Sequence, residues 1–196
     1  MTVHFHRTFH IGGLQGEESE AARADIERKE MARLASPDPD AGAEHPSLPD
    51  CVCGQITAIQ MEVEQMLGQA FMMEGMTVPR LHGVAIAVRE ALVNAFVHGS
   101  WCDPEELVMV SVCVEAECRG SSQSIHLAAV VADSGDGFDR SAVPDCTARE
   151  NLERPTGRGI CIMGHFANPE WNEKGNVCTI RQSWEQTPGH REEGAA

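Results

Sequence analysis

Apolar positions along the chain change period at recognisable places, and those changes predict its elements. From about 54, Ile56, Ile59, Val63, Met66, Leu67 and Ala70 recur at helical spacing, with Gly75 as a stop. Pro79 suits the first turn of a second helix, LHGVAIAVREALVNAFVHG, ending near Gly99. Two strands follow. In LVMVSVCV the residues Val108, Val110, Val112 and Val114 share one face, and SIHLAAVVAD stays apolar up to Asp133. The polar RGSSQ between them reads as a hairpin loop. From Gly135 to about Arg158 periodicity is lost, and a loop of that length inside a domain is usually functional or mobile. A short helix, GICIMGHF, a turn, EKGN, and a last strand, VCTIRQSW, complete the pattern.

Residues 1–53 form an N-terminal extension in this reading. GGLQGEESEAARADIERKEMARLA predicts a charged helix, and the proline- and acid-rich SPDPDAGAEHPSLPD predicts a linker, partly disordered. Residues 54–185 hold the regular pattern of one domain, and 186–196 form a disordered tail. VHFHRTF and the shorter CVCG are rival candidates for a first strand. His4, His6 and His10 invite a metal-ligand or phosphoacceptor reading, but such clusters more often sit in solvent or on an edge strand.

The second helix carries the strongest chemical signal. Val84, Val88, Leu92 and Ala95 cover one face, while Ile86, Val93 and Val97 cover much of the other, a pattern of interior helices. Within it Glu90, Asn94 and His98 recur at i, i+4 and i+8 along a narrow polar stripe. An ionised Glu buried without partners costs several kcal/mol (about the scale of a lost ion pair), so a ligand pocket is one answer and a wet polar flank the other. The helix alone does not decide. Asp133-Ser134-Gly135-Asp136-Gly137-Phe138 then ends a strand in a tight turn, where a carboxylate can accept from an exocyclic amine and glycines let a flat ring approach the backbone. Thr156-Gly157-Arg158-Gly159-Ile160 opens the short helix, whose N–H groups and dipole suit phosphate, although an ordinary loop-to-helix turn would look the same. Taken in order, the three segments supply different parts of one nucleotide site.

Composition narrows the partners. The formal net charge is −15, which argues against nucleic acid and against an anionic membrane. A polyanion must therefore be held by backbone N–H groups, helix N-termini and a divalent cation. No apolar run reaches the length of a membrane span, and the histidine-bearing start is unlike a signal peptide. Of the eight cysteines, Cys113, Cys161 and Cys178 lie in apolar runs, where cysteine acts as a small hydrophobe. Cys51 and Cys53 form a lone CxC without a second pair at zinc spacing. The expectation is a reduced, cytoplasmic protein.

EALVNAFVHG, VVADSGDGF, and NLERPTGRGICIM followed by NEKGNVCTI resemble, in order, the N-box and two glycine boxes of the GHKL or Bergerat-fold ATPases. The resemblance covers roughly 54–184 and is greatest to the anti-sigma-factor serine/threonine kinases. It implies an α/β (α+β) two-layer sandwich, with a mixed, mostly antiparallel sheet, helices on one face and an ATP lid. It implies ATP and Mg²⁺, with Glu90 as general base and Asn94 as the Mg²⁺ ligand. Asp133 would take the adenine amine, Gly135, Gly137 and Phe138 would line the base and ribose end, and Thr156, Gly157, Arg158, Gly159 and Ile160 would close on the phosphates. His98 matches a common family residue, either supporting the site or simply satisfied in the core. The implied partners are a small antagonist protein bearing the acceptor hydroxyl and a sigma factor, and homodimers occur among related kinases. A nucleotide-gated binding module with weak catalysis is the alternative. A sensor histidine kinase would need a phosphoacceptor histidine in its dimerisation helix, and residues 17–36 contain none.

Overall fold

The computed structural model describes residues 2–35, 48–74, 81–119, 122–143, 146, 148 and 158–186. In chain order these form β1 (Thr2–Gly12), α1 (Glu17–Ala35), α2 (Asp50–Glu74), α3 (Leu81–Asn94), a π-helical turn (Ala95–Gly99), β2 (Leu107–Arg119), β3 (Ser122–Ala132), a 3₁₀ turn (Arg140–Ala142), α4 (Gly159–Phe166), β4 (Asn168–Trp171) and β5 (Val177–Gln186). The strands make one sheet in the order β1-β2-β3-β5-β4, with all four pairings antiparallel. The largely antiparallel α/β sandwich expected from the motifs is therefore present.

Period-two alternation decides which side of the sheet is covered. Val108, Val110, Val112, Val114 and Ala116 of β2, Ile125, Leu127, Ala129 and Val131 of β3, and Cys178 and Ile180 of β5 are all buried. Against them pack Val52, Ile56, Ile59, Val63, Leu67 and Ala70 of α2 and Val84, Val88, Leu92 and Val93 of α3. Gly83 allows α4 to lie close to α3, since a Cβ there would sit 2.2 Å from the Phe166 ring. The other face, carrying His4, His6, Met109 and Glu115, is exposed.

The rivalry for the first strand is resolved. VHFHRTF lies in β1 and pairs with β2 over eleven positions, from Thr2↔Glu117 to Gly12↔Leu107. CVCG is helical instead. Val52 extends the apolar stripe of Ile56, Ile59 and Val63 by one turn, so α2 begins four residues before the predicted start. Asp25 of α1 caps that start from outside, accepting from the Asp50 N–H at 2.9 Å. Its carboxyl is held down at about 2, chiefly by Arg28.

Two further readings change. The strands run into RGSSQ, and Arg119 faces Ser122, leaving only residues 120 and 121 between them. β4 was not predicted, because NPEW is four residues long and contains a proline that only an edge strand tolerates. Gly75 and Pro79 lie outside the described residues.

The cysteine reading also needs correction. Cys161 is no simple core hydrophobe: it forms a disulfide with Cys146, with Cα atoms 6.5 Å apart. An apolar neighbourhood and a disulfide look alike in sequence, because the partner lies fifteen positions away in an aperiodic stretch. Cys51, Cys53, Cys102, Cys113, Cys118 and Cys178 lie outside that disulfide. Purified without reductant and denatured, the chain should titrate as six thiols, and as eight after reduction. Eight thiols at the outset would contradict the pairing.

Candidate functional site

Glu90 is only 6% exposed on a helix whose other sides are packed with aliphatic groups. The Arg89 guanidinium meets its Oε1 at 3.0 Å. This contact offsets part of the cost of burying the charge. The other carboxylate oxygen faces the first residue of α4: a Cβ placed on Gly159 would lie 3.0 Å from Glu90 Oε2. The same Cβ would lie 3.3 Å from both Oδ1 and Nδ2 of Asn94. A carboxylate and an amide one turn apart thus converge on the N-terminus of a second helix. Gly159 leaves room between them and the backbone, and the unpaired N–H groups of that terminus favour negative charge.

The helix then changes hydrogen-bonding pattern. α3 ends at Asn94 and the chain continues as a π turn from Ala95 to Gly99. Such turns insert an extra residue, and they recur at functional sites. The predicted continuous α-helix to Gly99 is corrected here, together with the stripe drawn through i+8. Glu90 and Asn94 keep their common face, whereas His98 falls on the widened turn and is exposed. A satisfied core histidine is therefore not its role.

The π turn delivers Gly99 to the Asp133 carboxylate. A Cβ on Gly99 would come within 2.2 Å of Asp133 Cγ, and one on Gly135 within 2.3 Å of the Gly99 carbonyl oxygen. The two glycines interlock around the acid, and neither can take a side chain without displacing it. Asp133 Oδ1 accepts from the Gly135 N–H at 2.9 Å. The Asp133 backbone exchanges hydrogen bonds with Asn176: its N–H donates to the Asn176 carbonyl at 3.1 Å, and its carbonyl accepts from Asn176 Nδ2 at 3.1 Å. Burial pushes the Asp133 carboxyl above its usual range, opposed by the Gly135 N–H and the charge of Lys174.

The rest of the predicted set is divided. Gly137 adopts φ +77°, and a Cβ there would meet the Lys174 carbonyl oxygen at 1.9 Å, so only glycine fits. Phe138 is half-buried and meets Trp171 of β4 edge to face, with ring centroids 5.8 Å apart. It fastens the turn to the sheet edge. Arg158 occupies the N-cap position of α4 and is exposed, and Ile160 packs against the core. Thr156 and Gly157 lie outside the described residues.

Three contributors were missed in the sequence. Gly99 seats Asp133, Asn176 pins its backbone, and Arg89 holds Glu90. Gly99 had a visible signal as the last residue of the helical run, but it was read only as a terminator. Beside it, Ser100 Oγ is buried and has no hydrogen-bond partner among the described residues. Trp101 and Cys102 follow with φ of +52° and +58°, a conformation that side chains rarely adopt. Backbone strain and unsatisfied buried hydroxyls of this kind recur at functional sites.

Comparison with known proteins agrees with this arrangement. Residues 53–181 match the family described as Histidine kinase-like ATPase domain. The chain is 34% identical over 93 residues to an anti-sigma F factor of Geobacillus thermodenitrificans, covering 46% of this chain and 58% of that protein. Over the same shares it is 32% identical to the anti-sigma F factor of Anoxybacillus flavithermus. One from Clostridium perfringens is 30% identical over 95 residues, 46% of this chain and 60% of the relative. The chain thus spans less than two thirds of the curated relatives it matches.

Asp133 gives a pH prediction with a defined sign. An acid whose folded-state pKa is raised costs stability once ionised; the penalty is absent below the unfolded pKa and full above the folded one. Asp133→Asn keeps an acceptor for Gly135 and should raise the Tm of the ligand-free protein at pH 7. Where Asp133 takes the adenine amine, as the resemblance implies, the variant should also weaken adenine-nucleotide binding about tenfold or more, by removing a charge-assisted hydrogen bond. Wild-type affinity should fall as acid protonates Asp133, starting above the range of an ordinary aspartate, and the difference from the variant should vanish there. Equal affinity of the two proteins at pH 7 by calorimetry would contradict the assignment.

Proposed function

The chain belongs to the histidine kinase-like ATPase domain family, and from that premise we propose that it is an ATP-dependent serine/threonine-protein kinase acting as an anti-sigma factor, which phosphorylates a small antagonist protein. The observation that carries the reading is the meeting of Glu90 and Asn94 at Gly159, with Asp133 seated on Gly99 at the far end of the same helix. Gly99 lies nine positions after Glu90, roughly 13 Å along a helix. That span suits a nucleotide with its base at Asp133 and its terminal phosphate at Glu90. The names of the matched relatives support the anti-sigma role.

In this reading Asp133 accepts from the adenine amine, and Gly135 and Gly137 keep the backbone low enough for the base and ribose. Ser100 Oγ offers a further polar contact at that end. Arg158 and Gly159 close on the phosphates, where the α4 N–H groups and the guanidinium face negative charge. The oxygen-donor chemistry of Asn94 and its position beside Glu90 fit a magnesium ion, which would neutralise phosphate charge. Glu90 receives the proton of the acceptor hydroxyl as its oxygen bonds to the γ-phosphorus, and the bond to the β-phosphate oxygen breaks to release ADP. His98, exposed at the site's rim, is available to an incoming protein. We assign the kinase unit to 54–185 with β1 completing its sheet. A sigma-factor client sets the protein in the cytoplasm; among the described residues no helix is long and apolar enough to cross a membrane.

One contact favours a second reading. The Arg89 guanidinium meets Glu90 Oε1 at 3.0 Å, so one oxygen of the proposed base is already engaged. A nucleotide-gated regulator with little transfer activity would need only the binding half of the site. Incubating the wild type with labelled ATP and a candidate antagonist separates the two, and Glu90→Gln tests the base. Under the kinase reading it binds ATP-Mg²⁺ nearly as wild type and transfers phosphate to the antagonist at least about a hundredfold more slowly. Transfer by the variant at the wild-type rate would rule out Glu90 as the base.

A further inference from the structure

On the sheet face opposite the nucleotide site, β1 and β2 set two pairs of metal-ligating residues across from one another. His4 stands opposite Glu115 and His6 opposite Cys113. Alternation along each strand puts all four on the uncovered side. Three of them already converge. His4 Nδ1 lies 3.0 Å from Glu115 Oε1, Cys113 Sγ lies 3.7 Å from His4 Nε2 and 3.8 Å from its Nδ1, and Cys113 Sγ lies 4.0 Å from Glu115 Oε1. The ligating atoms all fall within 4.8 Å of one another.

We propose that His4, Cys113 and Glu115 form a binding site for a zinc-class divalent transition-metal ion that fastens β1 to β2. Tetrahedral zinc with bonds of about 2.0–2.3 Å requires ligand atoms roughly 3.2–3.8 Å apart, and the observed separations need only small rotamer adjustments. Imidazole, thiolate and carboxylate together select zinc and its neighbours over magnesium or calcium, which prefer oxygen alone. The fourth position belongs to solvent, since His6 Nε2 is engaged with Ser111 Oγ at 2.9 Å. The outer face also holds His126 across from Glu115, but its ring nitrogens are shared with Ser183 and Ser124. Burial and the nearby Glu115 charge push the Cys113 thiol up, so the ion replaces a proton, which is released to solvent.

The site has a mechanical consequence. β1 is an edge strand joined to the rest of the domain through α1 and residues outside the described set, and it holds its place by pairing with β2. An ion ligated from both strands adds a cross-link at Glu115, Cys113 and His4, near the open end of that pairing. The CxC at Cys51 and Cys53 lies in α2 and takes no part.

The test uses the full chain with Zn²⁺ titrated against a chromophoric chelator, and Co²⁺ as a spectroscopic substitute. Wild type should bind one equivalent with micromolar or tighter affinity, and the Co²⁺ form should show thiolate-to-metal charge-transfer absorption. Cys113→Ser should remove that absorption, and Cys113→Ser, His4→Gln and Glu115→Gln should each weaken Zn²⁺ binding at least about tenfold. Cys51→Ser with Cys53→Ser should leave binding unchanged. Zn²⁺ should slow hydrogen exchange of the Thr2–Gly12 amides. Absence of binding by wild type up to millimolar Zn²⁺, unchanged affinity in Cys113→Ser, loss of binding in the Cys51/Cys53 double variant, or unchanged β1 exchange would each overturn the proposal. If a single variant fails to fold, the wild-type Co²⁺ spectrum still decides whether a cysteine is a ligand.

Discussion

A buried carboxylate on a helix packed along most of its length sets the terms for everything around it. Glu90 lies among Val84, Val88, Leu92 and Val93, where an ionised group is costly unless it is engaged. Arg89 engages one oxygen, and the other is turned toward Gly159 and the open end of α4. Much of the local architecture follows from that orientation. Helix α4 has to start beside the acid, Gly159 has to lack a side chain, and Gly83 has to let Phe166 pack close enough to hold α4 against α3.

The opposite end of the site depends on backbone proximity more than on charge. The π turn after Asn94 brings Gly99 under Asp133, and Gly135 closes over the Gly99 carbonyl, leaving no space for a methyl group at either glycine. Asn176 and the Phe138–Trp171 contact carry that constraint into β5 and β4. Each end is thus fixed by a different part of the sheet, with α3 as the common spacer. A rigid spacer between Asp133 and the Glu90–Asn94 pair suits a ligand of fixed length, as the proposed nucleotide would be.

What could be read from the sequence tracks how local each cause is. The valine alternation of β2 and the helical spacing from Ile56 to Ala70 depend on near neighbours, and both elements formed as their periods dictate. The joint presence of Glu90, Asn94, Asp133 and Gly159 in one region was legible because three motifs point to one ligand. The π turn was not, since AFVHG has no residue that demands a wider helix, and the choice is made by packing against Asp133. The pairing of β1 with β2 and the Cys146–Cys161 bond join residues far apart in the chain, so periodicity carries no trace of them. The histidines at 4 and 6 were seen as a cluster, but their partners Cys113 and Glu115 emerge only once the strand register is known.

The sheet consequently separates two kinds of chemistry. Its covered face, with α3 and α4, holds oxygen donors and backbone N–H groups suited to a phosphate-bearing ligand. Its open face gathers imidazole, thiol and carboxylate side chains. The central claim concerns the covered face, and a crystal structure with a non-hydrolysable ATP analogue and Mg²⁺ addresses it most directly. The account predicts the adenine amine within hydrogen-bonding distance of the Asp133 carboxylate and the terminal phosphate between Asn94 and the N-terminus of α4. A nucleotide bound elsewhere, or one bound here with its base at Glu90 and its phosphates at Asp133, would contradict it.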